Sequence, residues 1–278
     1  MRPLLCINLG AYVGASCTEQ LDAIRAAGFD GYFMSYSDEP TMRACAAHAK
    51  ELGLYLQSIH APFSHVCDLW HGTKEEAQRE LDRLLDCLRI TADLGATLMV
   101  VHPFIGFERH EPTAQGLSYF EQLVAAAEKA GVRLAFENVE GIEYLHAVMA
   151  HFAGRSSVGF CWDTGHALCY NGDCDPMADY QSRLMGTHLN DNLGVHDRAG
   201  KITWLDDLHL LPFDGVNSWQ KIADRLQSCG FTQEWTFELT TKSKPGRHDN
   251  DLYAAMPIES YYALCYQRAC RAAALLNP

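Results

Sequence analysis

Residues 159–166 read Gly-Phe-Cys-Trp-Asp-Thr-Gly-His, an apolar run that ends on Asp163, with His166 three residues later. If 158–162 is a buried strand, Asp163 sits at its carboxyl end and His166 in the loop beyond. An anionic oxygen and an imidazole nitrogen on rigid backbone are what a divalent metal site requires. The pattern recurs along the chain. Other apolar runs end in Ser58-Ile59-His60, Val101-His102, Phe136-Glu137-Asn138, Thr187-His188-Leu189-Asn190-Asp191 and Phe237-Glu238. Asp207-Leu208-His209 lies in the long polar segment between the last two. His60, His102, Glu137, Asp163, His166, His188, Asp207, His209 and Glu238 are therefore candidate metal ligands. Burying so many carboxylates and imidazoles without a cation is costly. A divalent ion offsets that cost and keeps the carboxylates ionised.

The elements that must position these residues alternate from end to end. The apolar runs predict strands at 4–9, 31–35, 54–60, 97–102, 133–139, 158–162, 185–189 and 235–239. Between and after them the spacing predicts helices, the first capped by Thr18 and closed by Gly28, then 42–52, 73–94, 114–130, 142–152, 175–183, 218–229 and 258–276. Leu81, Leu84, Leu85 and Leu88 fall on one helical face. Strict alternation implies an α/β fold with a parallel sheet. Eight such units imply a closed (β/α)8 TIM barrel, one domain over 1–278. A doubly wound open sheet is the runner-up. It fits less well, because no GxGxxG follows the first strand and polar residues follow nearly every strand. In a barrel all strand carboxyl ends meet on one face, so the nine candidates converge on one pocket.

Composition narrows the function. The chain of 278 residues is 48% hydrophobic and 21% charged, an ordinary globular balance for one barrel. Its 22 Lys and Arg face 35 acids, a net charge of −13, which disfavours binding to duplex nucleic acid or to acidic membrane surfaces. The eleven cysteines form no CxxC and no pairing pattern, so free, mostly buried thiols in a reducing cytoplasm are expected. No signal peptide is visible and no apolar stretch is long enough to span a bilayer. The segment around Trp204 reads as a lid or as a contact in a homodimer or higher homo-oligomer.

In order and local motif the chain resembles the xylose-isomerase-like TIM-barrel superfamily, which includes sugar isomerases, ketose 3-epimerases, inosose-type isomerases and dehydratases, and endonucleases of the endonuclease IV type. Glu137, Asp163-Thr164-Gly165-His166, His188-Leu189-Asn190-Asp191 and Glu238 carry the resemblance. The epimerase branch implies one metal on Glu137, Asp163, His188 and Glu238, with His166 and Glu143 holding sugar oxygens. His60 and Trp162 join the substrate contacts, and Phe63, Trp70 and Phe104 are further wall residues. The Arg that some members place six residues after the metal His is Gly194 here, and Arg198 is the nearest substitute. The endonuclease branch implies three zinc ions: His60, His102 and Glu137 at one, Glu137, Asp163, His188 and Glu238 at the second, and His166, Asp207 and His209 at the third.

Two activities follow from the resemblance. The first is a divalent-metal-dependent isomerase or epimerase of a small sugar, sugar phosphate or polyol derivative. The metal would stabilise an enediolate while Glu137 and Glu238 serve as base and acid on its two faces. The second is a multinuclear zinc phosphoesterase. The loops at 63–70 and 170–175 are aromatic and acidic, which favours the sugar over DNA. A metal-binding barrel without catalysis is a third reading, and nothing in the site is visibly missing. The resemblance implies a cofactor of one to three Mn2+, Zn2+ or Co2+ ions.

Overall fold

The structure, a computed structural model, describes residues 2–109, 111–197 and 199–276. Its strands are β1 (Leu5–Leu9), β2 (Gly31–Ser35), β3 (Tyr55–His60), β4 (Leu98–Val101), β5 (Arg133–Glu137), β6 (Val158–Asp163), β7 (Leu184–His188) and β8 (Trp235–Phe237). Each pairs in parallel with its sequence neighbour from β1 to β7, and β8 pairs with β1. The last junction, β7 to β8, is closed by the bridge Leu189–Phe237. There Leu189 N donates to Thr236 O at 2.8 Å, Glu238 N donates to Leu189 O at 3.2 Å, and the hydroxyl of Thr187 accepts from Thr236 N. This is the eight-stranded (β/α)8 barrel that the alternation predicted.

The helices are α1 (Cys17–Ala27), α2 (Glu39–Glu51), α3 (Cys67–His71), α4 (Lys74–Asp93), α5 (Ala114–Ala130), α6 (Ile142–His151), α7 (Thr164–Cys169), α8 (Pro176–Tyr180), α9 (Trp219–Ser228), α10 (Asp251–Ala254) and α11 (Ile258–Ala273). The cap of α1 is Ser16 rather than Thr18. Its hydroxyl accepts from Glu19 N, and the Glu19 carboxylate accepts from Ser16 N at 2.8 Å, a reciprocal pair that fixes the start of the helix. On α4, Leu81, Leu84 and Leu88 are buried and Leu85 partly so, as the spacing predicted. Three short helices, α3, α7 and α10, were not anticipated. Each is too brief to show a helical period.

Strand parity sorts the core into two parts. Leu98, Val100, Ala135 and Cys161 fill the barrel interior, and the larger cluster lies between strands and helices. Side chains on a strand alternate faces, so residues two positions beyond an inward one also point inward. His102 follows Val100, Glu137 follows Ala135 and Asp163 follows Cys161 in this way. The small interior residues leave the acids and imidazoles stacked above a packed floor.

One expectation is corrected. Cys17 and Cys45 form a disulfide between α1 and α2, with Cα atoms 6.0 Å apart, and the other nine cysteines are free. The two helices pack side by side, a neighbourhood that a sequence separation of 28 does not reveal. Among the described residues no helix is long and apolar enough to cross a membrane.

Candidate metal and substrate site

Asp163 ends β6 and also caps α7, its Oδ1 accepting from His166 N at 2.7 Å. His166 is therefore in the first turn of a helix, not in a loop, and its direction is fixed by the acid three residues earlier. The other carboxylate oxygen, Oδ2, accepts from Asn190 Nδ2 at 2.8 Å. Asn138 clasps the same backbone from the β5 side: Oδ1 accepts from Asp163 N, and Nδ2 donates to Asp163 O, both at 2.8 Å. Thr164 Oγ1 donates to Asn190 O and accepts from Asn190 N. Gly165 leaves room for this arrangement, since a Cβ there would lie 2.0 Å from Asn190 Oδ1. Asp191 anchors the following loop by accepting from Phe213 N, Asn217 N and Trp219 Nε1.

All nine sequence-derived candidates meet on the carboxyl face of the barrel. Glu137, Asp163, His188 and Glu238 each offer an atom within 4.8 Å of the others, as do His60, Glu137 and His188, and separately His166, Asp207 and His209. Glu137 Oε2 lies 3.3 Å from Nε2 of both His60 and His102 and makes no hydrogen bond. His188 Nδ1 lies 2.9 Å from Glu137 Oε1 and 3.1 Å from Glu238 Oε2. Asp207 Oδ2 is 2.9 Å from His209 Nε2, and Oδ1 is 3.5 Å from His166 Nε2.

These residues fit a divalent ion on two observations. First, three imidazoles are oriented by backbone carbonyls, which can only accept. Nδ1 of His60 donates to Ala61 O, that of His166 to Asn138 O and that of His209 to Glu238 O. Each leaves Nε2 aimed at carboxylates, the way a protein sets up histidine ligands. Second, Glu137 Oε2, Asp207 Oδ1, His102 Nδ1 and His188 Nε2 are buried without a hydrogen bond. Deep burial without partners is costly, and for the two carboxylate oxygens a cation would supply what the protein does not.

The electrostatics point the same way. Burial resists ionisation of Glu137, yet His188, His102 and His60 together hold it well below the usual carboxylate range. Burial opposes charge on Glu238 too, but His188 and His209 bring it down to about 2. For Asp163 burial wins and pushes it up to about 6, with His166 pulling against it. Burial opposes charge on His188 and His166, but Glu137 and Glu238 raise the first well above its ordinary value, and Asp163 and Asp207 the second. Burial likewise opposes charge on His209, which Asp207 and Glu238 raise to about 9. The carboxylates thus recruit positive charge from the imidazoles when nothing else supplies it.

A cavity of about 350 Å3 opens above this cluster, walled by Phe63, Tyr170, Trp204, Glu140, Lys244 and the candidate ligands His166, Asp207, His209 and Glu238. Phe63 stacks on His102 at 4.5 Å and Tyr170 on His166 at 5.1 Å. Some wall residues proposed from sequence are placed elsewhere. Trp162 faces outward, beneath Arg225 at 5.8 Å, because its neighbour Asp163 points inward. Trp70 is buried, with Nε1 donating to Pro103 O, and Phe104 stacks on Tyr144. Glu143 lies in the first turn of α6, while Glu140 is the acid on the cavity wall, accepting from Gly106 N. Arg198 lies outside the described residues.

Sequence reasoning missed Glu140, Tyr170 and Lys244 as wall residues. Lys244 Nζ is 3.3 Å from Asp207 Oδ2 and 5.6 Å from the centre of the Trp204 ring. The signal was available in the segment after β8, Thr240-Thr241-Lys242-Ser243-Lys244, which follows a strand end as the candidate ligands do.

Comparison with known proteins follows the same lines. An uncharacterised protein named y4fM, from Sinorhizobium fredii (strain NBRC 101917 / NGR234), is 26% identical over 259 residues, covering 78% of this chain and 79% of that one. A solved structure described as IOLI protein with a binding zinc atom superposes with a TM-score of 0.78 at 15% identity, covering 99% of this chain and 98% of that one. A structure of L-ribulose 3-epimerase superposes with a TM-score of 0.73 at 17% identity, covering 98% and 97%. Residues 21–257 match the family described as xylose isomerase-like TIM barrel, and the chain belongs to that family.

Proposed function

We propose that this protein is a divalent-metal-dependent isomerase or epimerase of a small sugar, sugar phosphate or polyol derivative. The observation that carries the reading is the quartet Glu137, Asp163, His188 and Glu238, drawn from the ends of β5 to β8, with Glu238 opening onto a cavity of about 350 Å3. That volume is of small-molecule size. The named relatives, one described with zinc and one as a ketose epimerase, support the same class.

When bound by the quartet, a divalent ion supplies Lewis-acid polarisation of a substrate carbonyl and stabilises the negative charge that builds on its oxygen. The chain's own groups move the proton. Glu238 reaches the cavity and is held ionised by His188 and His209, so it can take the proton from the carbon beside the carbonyl. Glu137, ionised at rest, is its counterpart for return of a proton to the opposite face, after it has itself taken one up. It lies deeper, beneath the imidazoles of His60, His102 and His188. His166 Nε2, His209 and Glu140 face the cavity as partners for hydroxyl groups. The aromatic rings of Phe63, Tyr170 and Trp204 limit water around the reacting carbon.

A second reading, a multinuclear zinc hydrolase, has one observation in its favour: His166, Asp207 and His209 also converge as a separate triad. The deciding experiment is solvent deuterium incorporation into a panel of ketoses and ketose phosphates by the metal-loaded protein. Exchange at the carbon beside the carbonyl supports proton transfer. Absence of exchange across the panel, together with phosphodiester cleavage and three zinc ions per chain, would replace it with the hydrolase.

A further inference from the structure

A second cavity, of about 340 Å3, adjoins the first and shares with it Trp204, His209, Glu238 and Lys244. Its remaining wall comes largely from the segment after β8, including Thr240, Lys242 and Ser243. The charge there runs against the rest of the molecule. The chain carries a net −13, and many of its arginines are spent in ion pairs away from the site, such as Arg43 and Arg89 with Glu39 and Asp93, and Arg155 with Glu121 and Glu128. Lys242 has no acidic side chain within ion-pair distance among the described residues, and it is one of the residues that line the cavity. Lys244 has one, Asp207, but that carboxylate also faces His209 at 2.9 Å and His166 at 3.5 Å. One carboxylate therefore answers an ammonium and two imidazoles, and Lys242, on the wall of the same cavity, has no carboxylate of its own among the described residues.

We propose that this adjoining cavity is an anion subsite, in which Lys242 and Lys244 receive the charged end of the substrate, a carboxylate or a phosphate. The proposal rests on the isomerase reading above and narrows it: the substrate is an anionic sugar or polyol derivative rather than a neutral one. Lysine serves as a compact point charge for such groups. The shared wall fixes the geometry. A molecule whose anionic end lies between Lys242 and Lys244 extends past Trp204 towards Glu238, the carboxylate that borders both cavities. Other polar groups of this wall are engaged within the protein, Thr240 Oγ1 accepting from Lys242 N. Ser243 Oγ donates to Asp251 and accepts from Asn250 N, and Asn8 is clasped to Leu239. The lysines are thus the groups left to choose the ligand.

The test is calorimetric binding of ribitol, ribitol 5-phosphate and ribonate to the metal-loaded protein. At least one anionic probe should bind tenfold or more tightly than ribitol, and whichever does so identifies phosphate or carboxylate. In the variant combining Lys242→Glu and Lys244→Met that advantage should vanish, with bound metal and circular dichroism unchanged. If that variant does not fold, Lys242→Glu alone, at an exposed position, should still cut the ratio severalfold. The proposal is overturned if neither anion outbinds ribitol, or if the advantage survives the substitutions because the metal alone holds the anion. Lysine-dependent anion binding without deuterium exchange in any ketose would instead leave the subsite standing and remove the isomerase reading.

Discussion

A single nitrogen joins the two candidate proton-transfer carboxylates: His188 Nδ1 lies 2.9 Å from Glu137 Oε1 and 3.1 Å from Glu238 Oε2. The ring cannot easily turn away, because it stacks on Phe33 with centroids 4.7 Å apart. Whatever cation sits at that point, proton or metal, holds both acids ionised at once. Of the two, Glu238 borders the cavity.

Glu238→Gln keeps the shape of the side chain and removes its basicity. Solvent deuterium exchange into the substrate should fall by about 10²–10⁴-fold, the usual worth of a positioned acid–base group. Because Glu238 also belongs to the proposed quartet, the variant is compared at saturating metal. A variant that exchanges at the wild-type rate would remove Glu238 from the proposed chemistry.

Gly165→Ala tests the support beneath Asp163. The added Cβ would lie 2.0 Å from Asn190 Oδ1, so Asn190 must move and give up its bond to Asp163 Oδ2. Overpacking of this kind costs about 1–3 kcal/mol of stability. Losing the group that orients a ligand should weaken metal binding by about 10–100-fold. Denaturant unfolding and competition against a coloured chelator read the two effects separately.

The pH dependence of metal binding follows from the imidazoles. His166 and His188 are raised well above their ordinary values and His209 is raised to about 9, so each keeps a proton in neutral solution until an ion displaces it. Metal affinity should therefore climb as pH rises towards about 9, with net proton release measurable by calorimetry in two buffers of different ionisation enthalpy. In the metal-free protein the sign reverses. Imidazoles with raised values contribute stability that is complete below their ordinary range and fades as pH rises through the raised one. Metal-free melting temperatures should thus fall on the alkaline side, and bound metal should abolish that decline.

The barrel and the quartet were legible because both are local patterns repeated. Each strand is a short apolar run, and each candidate ligand of the quartet sits at a carboxyl end, where barrel topology alone brings residues 137 and 238 together. The orientation of Trp162 was also in principle legible, since adjacent strand residues face opposite ways and Asp163 takes the inner face. Others were not. α7 is six residues long and begins where β6 stops, so no periodicity announces it. The Cys17–Cys45 bond depends on how two helices pack. Lys244 lies 37 residues beyond Asp207, in a stretch after β8 with no regular structure to fix its direction.

The junction between β7 and β8 gives the quartet a mechanical meaning. That seam is the one closed by an isolated bridge, and His188 and Glu238 stand immediately on either side of it. An ion held by both would act as a clasp across the barrel's thinnest joint, so that loading the site and shutting the cylinder become one thermodynamic event. A chelator would then work as a local denaturant. The amide hydrogens of Leu189 and Glu238, which cross the seam to Thr236 O and Leu189 O, should exchange with deuterated solvent faster once it is added, while those of β4 and β5 hold their rate.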